Sequence, residues 1–253
     1  MTAAVGREGY MKAPITKGRH AQPVGDLGVA PRVMAGVIRN SFAHPGGFRA
    51  GLLRSLWVEV KRFGAHNVRT IELSRLRGIE RIYVDGPVIH HGMLVLSALA
   101  ALLECETIFD FGPVDALTPA LLAHNLASVQ IYSFDRPPEA GAWRARASTG
   151  SPDPRITRLS GDSGTFDFSP YSGKIDLVHI DASDRSASLV ADTEAAFGML
   201  SELGSIVWYG FTYHPSLYAF LERLAPNLDG PIHHLAGTRL ALYSRWDVVV
   251  PDA

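Results

Sequence analysis

The chain has 253 residues, 47% hydrophobic and 19% charged, with a formal net charge of −1. That length and apolar content allow one large domain with a full core, with or without an N-terminal extension. The near-neutral charge and lack of a Lys/Arg-rich block argue against nucleic acid or an anionic membrane as partner, and the single cysteine, Cys105, excludes an intrachain disulfide and a cysteine-based zinc site.

Residues 1–46 read as a mobile N-terminal arm, in which Gly, Pro, Lys and Arg recur without periodicity, most clearly over 1–32. Gly6, Gly9, Pro14 and Gly18 interrupt any signal-peptide core. The longest apolar run, Met93 to Leu103, is too short to span a bilayer. A cytoplasmic protein is therefore expected. Residues 47–87 read as a helical cap extension: Leu52, Leu53, Leu56, Trp57 and Val60 fall at helical spacing over 47–63, and Gly64 offers a stop. The Trp57 face is a candidate homodimer surface. Ile79–Val84 alternates enough to predict a short strand.

Residues 88–253 form the expected main domain. It opens with an apolar helix from Val88 to Leu103, in which His90 and His91 point to different faces and cannot share one metal. Cys105 should lie buried beneath the strand that follows. Strands are predicted at Thr107–Gly112, Val129–Asp135, Ile156–Gly161, Lys174–Asp181, Gly204–Phe211, Ile232–Leu235 and Arg239–Ser244. Helices are predicted near Pro119–Leu126, Ser186–Leu200 and Pro215–Leu224. In the second of these, Leu189, Ala196, Phe197 and Leu200 make an apolar stripe, with Asp192 and Glu194 facing out. Thr118-Pro119 reads as an N-cap and first-turn pair. Strands separated by helices imply a largely parallel sheet, whereas the last two, joined only by Ala236-Gly237-Thr238, must pair antiparallel. The segment from Arg136 to Pro154 holds four prolines and two glycines and reads as a flap.

The chemistry-bearing residues collect at strand ends, where open α/β sheets bind ligands. Asp110 and Gly112 close the first of these strands, Asp135 the second, Gly161-Asp162-Ser163 the third and Asp181 the fourth. Carboxylates at successive ends suit ribose hydroxyls and an amino group, which they can accept from. They suit a polyphosphate poorly. A P-loop is absent, Gly112-Pro-Val-Asp-Ala-Leu fails the dinucleotide fingerprint, and Gly161-Asp-Ser-Gly164 lacks the spacing of a hydrolase elbow.

Asp110-Phe-Gly112-Pro-Val-Asp-Ala116-Leu-Thr118, Gly161-Asp162-Ser163, Lys174-Ile-Asp-Leu-Val-His-Ile-Asp181 and Gly237-Thr238-Arg-Leu-Ala-Leu-Tyr follow in this order. Together they resemble the class I S-adenosylmethionine-dependent methyltransferases, especially small bacterial O-methyltransferase-like families, over about residues 88–245. The resemblance implies an α/β, Rossmann-like methyltransferase fold with a mostly parallel seven-stranded sheet and a C-terminal antiparallel hairpin. It also implies S-adenosylmethionine as cofactor and a small-molecule acceptor. On it, Asp110, Gly112, Asp115, Asp135, Gly161, Asp162, Ser163 and Asp181 would bind the cofactor. Asp135 would take the ribose hydroxyls, the Gly161 step would lie near the adenine, and Asp115 would cap its turn or hold the methionine amino group.

Two departures stand out. The second glycine of the first motif is Ala116, and Val207-Trp208-Tyr209-Gly210-Phe211 offers no acid where metal-dependent relatives carry one. Magnesium wants several oxygen ligands, and Asp181 with Asp184 is a thin set, so no metal is expected. Methyl transfer to a hydroxyl gains from a general base, for which Asp181, His214 and His179 are the candidates. His179 could equally be a core imidazole, and His214 a helix cap. Tyr209 could contact an acceptor. Two competing functions remain from the residues: a catalytically inactive methyltransferase-fold binding or assembly protein, and a nicotinamide-dependent oxidoreductase.

Overall fold

The computed structural model describes residues 67–87, 91–112, 117–135, 153–181 and 188–250. The 47–63 helix with Trp57, residues 136–152 of the flap, and Asp115, Ala116 and Asp184 lie outside the described residues. In chain order the elements are β1 (Arg69–Ile71), α1 (His91–Leu102), β2 (Thr107–Phe111), α2 (Leu117–Asn125), β3 (Gln130–Asp135), β4 (Ile156–Ser160) and β5 (Ile175–Asp181). There follow α3 (Leu189–Met199), β6 (Leu200–Tyr209), α4 (Pro215–Leu224), β7 (Ile232–Leu235) and β8 (Leu240–Ser244).

The strands form one sheet in the order β1-β7-β8-β6-β5-β2-β3-β4. Strands β2 to β6 pair in parallel, and β8 runs antiparallel to both β6 and β7. The described sheet therefore has eight strands where seven were expected. The addition is β1, which pairs in parallel with β7 from Arg69 opposite His233 to Ile71 opposite Leu235. Three residues on an edge, two of them exposed, carry no apolar alternation; they join by pairing with β7, to which the Thr70 hydroxyl adds a hydrogen bond with His234 Nδ1 at 3.0 Å. The strand expected within Ile79–Val84 is instead a single 3-10 turn, Ile79–Arg81, entered through Gly78 at φ +91°.

Side chains alternate across the sheet, as strand geometry demands. Ile108, Ile131, Leu177, Val207 and Leu242 face α1 and α2, where they meet Leu96, Leu99, Leu122 and the buried thiol of Cys105. Phe111, Val178, Ile180, Ile206 and Trp208 face α3 and α4. α1 ends without a glycine: Glu104 takes φ +49°, letting Cys105 N–H donate to the Ala100 carbonyl, a left-handed helix stop. α2 starts at Leu117, so Thr118 and Pro119 sit inside its first turn, where a missing N–H goes unneeded. Asp192, expected to face out of α3, is buried; Glu194 is exposed as expected.

The connection from β4 to β5 contains only a short 3-10 turn, Ser169–Tyr171. Aromatic side chains do there what a crossover helix would do. Phe166 packs on Phe134 with ring centroids 4.8 Å apart, and Tyr171 on Phe109 at 5.2 Å. The Phe168 ring centroid lies 5.8, 5.6 and 5.6 Å from those of Phe109, Phe111 and Phe134. Gly161 is required by this packing, because a Cβ would come 2.9 Å from the Phe166 ring.

Candidate active site

From β2 the chain moves outward to β3 and β4, then returns to the other side of β2 as β5. The β2–β5 seam is therefore the topological switch point, where open α/β sheets bind ligands beyond the carboxyl ends of their strands.

Across this seam Asp110 lies in register with His179. Oδ1 of Asp110 and Nδ1 of His179 are 2.7 Å apart, with the two residues 1% and 5% exposed. An ionised carboxylate only accepts, so Nδ1 carries the proton and donates it. Asp110 Oδ2 is buried without a hydrogen-bond partner. Leaving a buried carboxylate oxygen without a donor is costly, and a native fold tolerates it most readily where a ligand supplies the donor.

Gly112 follows β2 at φ +95°, and a Cβ on it would lie 3.3 Å from the Asp181 carbonyl oxygen. Glycine alone takes this backbone without strain. Its N–H donates to the Phe134 carbonyl at 3.1 Å. The end of β2 is thus tied to β3 on one side and pressed against the end of β5 on the other. Asp181 is half-buried and in register with Tyr209 of β6, so Asp110, His179, Asp181 and Tyr209 share one sheet face.

Asp135 ends β3 half-buried, and its carbonyl accepts from Gly161 N–H at 3.0 Å. Asp162 is exposed and turns the chain: its Oδ1 accepts from Gly164 N–H at 2.9 Å, a local Asx turn. Ser163 is buried, its hydroxyl without a partner. His214 occupies the N-cap position of α4 but makes no side-chain cap bond. Its ring instead lies on Gly210, where a Cβ would approach Cδ2 to 2.6 Å.

Those expected residues that are described lie at the carboxyl ends of the strands, with His179 withdrawn into the strand interior as the partner of Asp110. Arg239 was missed. It precedes β8, and its Nη1 donates to the Tyr209 hydroxyl at 3.0 Å. Its only sequence signal was its place in the closing hairpin beside a strand end. Among the described residues, no group of three or more His, Cys, Asp or Glu side chains converges as for a metal ion, and no helix is long and apolar enough to cross a membrane.

The chain superposes on PaMTH1, a methyltransferase from Podospora anserina solved with SAH bound, at TM-score 0.50 and 15% identity, covering 90% of this chain and 99% of that one. The fold is that of the class I methyltransferases. A methyltransferase from Geobacter sulfurreducens gives TM-score 0.46 at 13% identity over 89% and 98% of the two chains. The O-methyltransferase TomG from Streptomyces achromogenes, involved in tomaymycin synthesis and solved in complex with SAM, gives 0.44 at 16% over 78% and 96%. No protein-family model and no curated protein matches the chain. At these identities the likeness is one of fold.

Proposed function

We propose that the protein is an S-adenosylmethionine-dependent methyltransferase that O-methylates a small-molecule acceptor without an obligatory metal. The observation that carries this reading is the partnerless Oδ2 of Asp110, sealed at the switch point beside the positive-φ Gly112. The residues fit the cofactor chemically. Its ammonium and ribose hydroxyls are donors, and Asp110, Asp115, Asp135 and Asp181 are acceptors. Gly112 would leave room for it, and Gly161, Asp162 and Ser163 would border the adenine.

When bound, S-adenosylmethionine supplies a methyl group on a sulfonium. The protein's part is to orient the acceptor oxygen in line with that methyl and to take the acceptor's proton. Asp181 and His214 are the groups at the rim able to do so. His179 is a positioning residue, holding one oxygen of Asp110 and leaving the other for the ligand. Tyr209, which ends β6, and Gly210 after it stand in place of an acid and support a metal-free reaction. The near-neutral charge supports a cytoplasmic protein without nucleic-acid or membrane partners, and the Trp57 segment supports a homodimer. The same reading divides the chain into an arm (1–46), a cap (47–87) and a main domain (88–253).

The test is transfer of labelled methyl from S-adenosylmethionine to a panel of hydroxylated small molecules, with and without EDTA. Transfer that survives EDTA supports the proposal. Cofactor binding with no transfer across the panel favours the binding or assembly reading, and loss of transfer in EDTA contradicts the metal-free step.

A further inference from the structure

The rim of the sheet holds a cation prepared for an anion. Arg239 is anchored twice. Its backbone carbonyl accepts from Gly210 N–H at 2.9 Å and Phe211 N–H at 3.0 Å, which clamps it to the end of β6. Its side chain reaches back over the same strand end, where Nη1 donates to Tyr209 Oη and Cζ lies 4.7 Å from the Tyr213 ring centroid and 5.9 Å from that of Tyr209. His214 packs edge-on against Tyr213, centroids 5.4 Å apart, and steadies that ring. The guanidinium is thereby held against two aromatic rings, an arrangement that favours arginine over lysine.

Yet Arg239 is exposed, and among the described residues no carboxylate lies within ion-pair reach of it. Tyr209 takes one of its five N–H donors. An arginine whose geometry is fixed by rings, with its fork still open, suits a planar carboxylate. Its position says which molecule would bring that carboxylate. Tyr209 is in register with Asp181 and on the same sheet face, so the residue that holds the guanidinium belongs to the strand next to the one that bears Asp181, about one strand spacing, roughly 4.8 Å, away. Among the described residues, the other charged groups at these strand ends, Asp110, Asp135, Asp162 and Asp181, are acids and would repel an anion. A ligand with a hydroxyl at one end and a carboxylate at the other can satisfy both regions in one orientation only.

We infer that Arg239, held by Tyr209 and Tyr213, is the specificity-determining residue for the acceptor, and that the acceptor is a small hydroxy acid whose carboxylate docks on it. This rests on the proposed methyltransferase reading, which it narrows.

The experiment measures dissociation constants of para-hydroxybenzoate and phenol for the full chain by calorimetry, with and without S-adenosylhomocysteine, in the wild type, Arg239→Gln and Arg239→Lys. The acid should bind wild type about tenfold or more tightly than phenol. Arg239→Gln should erase that difference and Arg239→Lys keep part of it, with thermal melts confirming that both variants fold. Equal affinities for the two probes in the wild type, no binding of the acid, or a preference that survives Arg239→Gln would overturn the inference. An Arg239-dependent preference without S-adenosylhomocysteine binding keeps the anion site and removes the methyltransferase reading. Binding of S-adenosylhomocysteine without the preference does the reverse.

Discussion

Asp110 and His179 meet across the β2–β5 seam with Oδ1 and Nδ1 2.7 Å apart, both sealed from solvent, while the second carboxylate oxygen of Asp110 has no partner. A structural pair would satisfy both oxygens; this one satisfies half. Asp110→Asn removes the buried charge and leaves a carbonyl to accept from His179. The free protein should melt at the same temperature or higher, because a partly satisfied buried charge is a net cost. Affinity for S-adenosylhomocysteine should fall about tenfold or more, since a charge-assisted bond is lost. Melting curves and calorimetry on the same sample check both. A lower melting temperature with unchanged affinity would make the pair purely structural.

Gly112→Ala places a Cβ 3.3 Å from the Asp181 carbonyl at φ +95°. Holding a non-glycine residue there costs about 1–3 kcal/mol, to be read as a shifted urea midpoint. Cofactor affinity should fall as well, because Gly112 and the end of β5 must separate. A variant with unaltered stability and binding would show that this approach is not required.

How much of this was legible beforehand varies with the physics behind each element. Thr107–Phe111, Gln130–Asp135 and Ile175–Asp181 are largely buried and read directly as apolar runs with an acid at or next to the end. The closing hairpin followed from its short connection. β1 could not be read, because it is three residues long, is placed by its pairing with β7, and has mostly exposed side chains. The aromatic covering of β2 and β3 escaped for a related reason. Phe166, Phe168 and Tyr171 sit in an irregular connection with no period to betray them, and only the folded sheet shows what they cover. At the site, the acids were visible singly, but the Asp110–His179 couple depends on the β2–β5 register, and Arg239 on a side chain reaching across β6.

Phe109 lies at the centre of that aromatic covering, fully buried and in ring contact with Phe111, Phe134, Phe168 and Tyr171. Phe109→Ala should destabilise by about 3–5 kcal/mol, the usual cost of emptying such a site. Urea unfolding is the readout. A loss under about 1 kcal/mol would mean the loop collapses onto the space, and that the rings do not act as a packed layer.

Tyr243 of β8 donates its hydroxyl to Asp229, and burial, with Asp229 adding to it, pushes the Tyr243 pKa up to about 12. Burial raises that of Tyr218 too. An unfolded tyrosine titrates near 10, so the folded state holds these protons more tightly. The associated stability is complete below about pH 10 and is lost as pH rises through about 12. The urea midpoint should therefore fall over that interval, and less steeply in Tyr243→Phe. Identical slopes in the two proteins would contradict the assignment.

The central claim is that the switch point of this sheet, with Asp110 and Gly112 at its edge, binds the methyl donor. Calorimetric titration of the full chain with S-adenosylhomocysteine tests it most directly. Saturable one-to-one binding that Asp110→Asn weakens is the expected result; no heat of binding up to millimolar ligand would contradict the account.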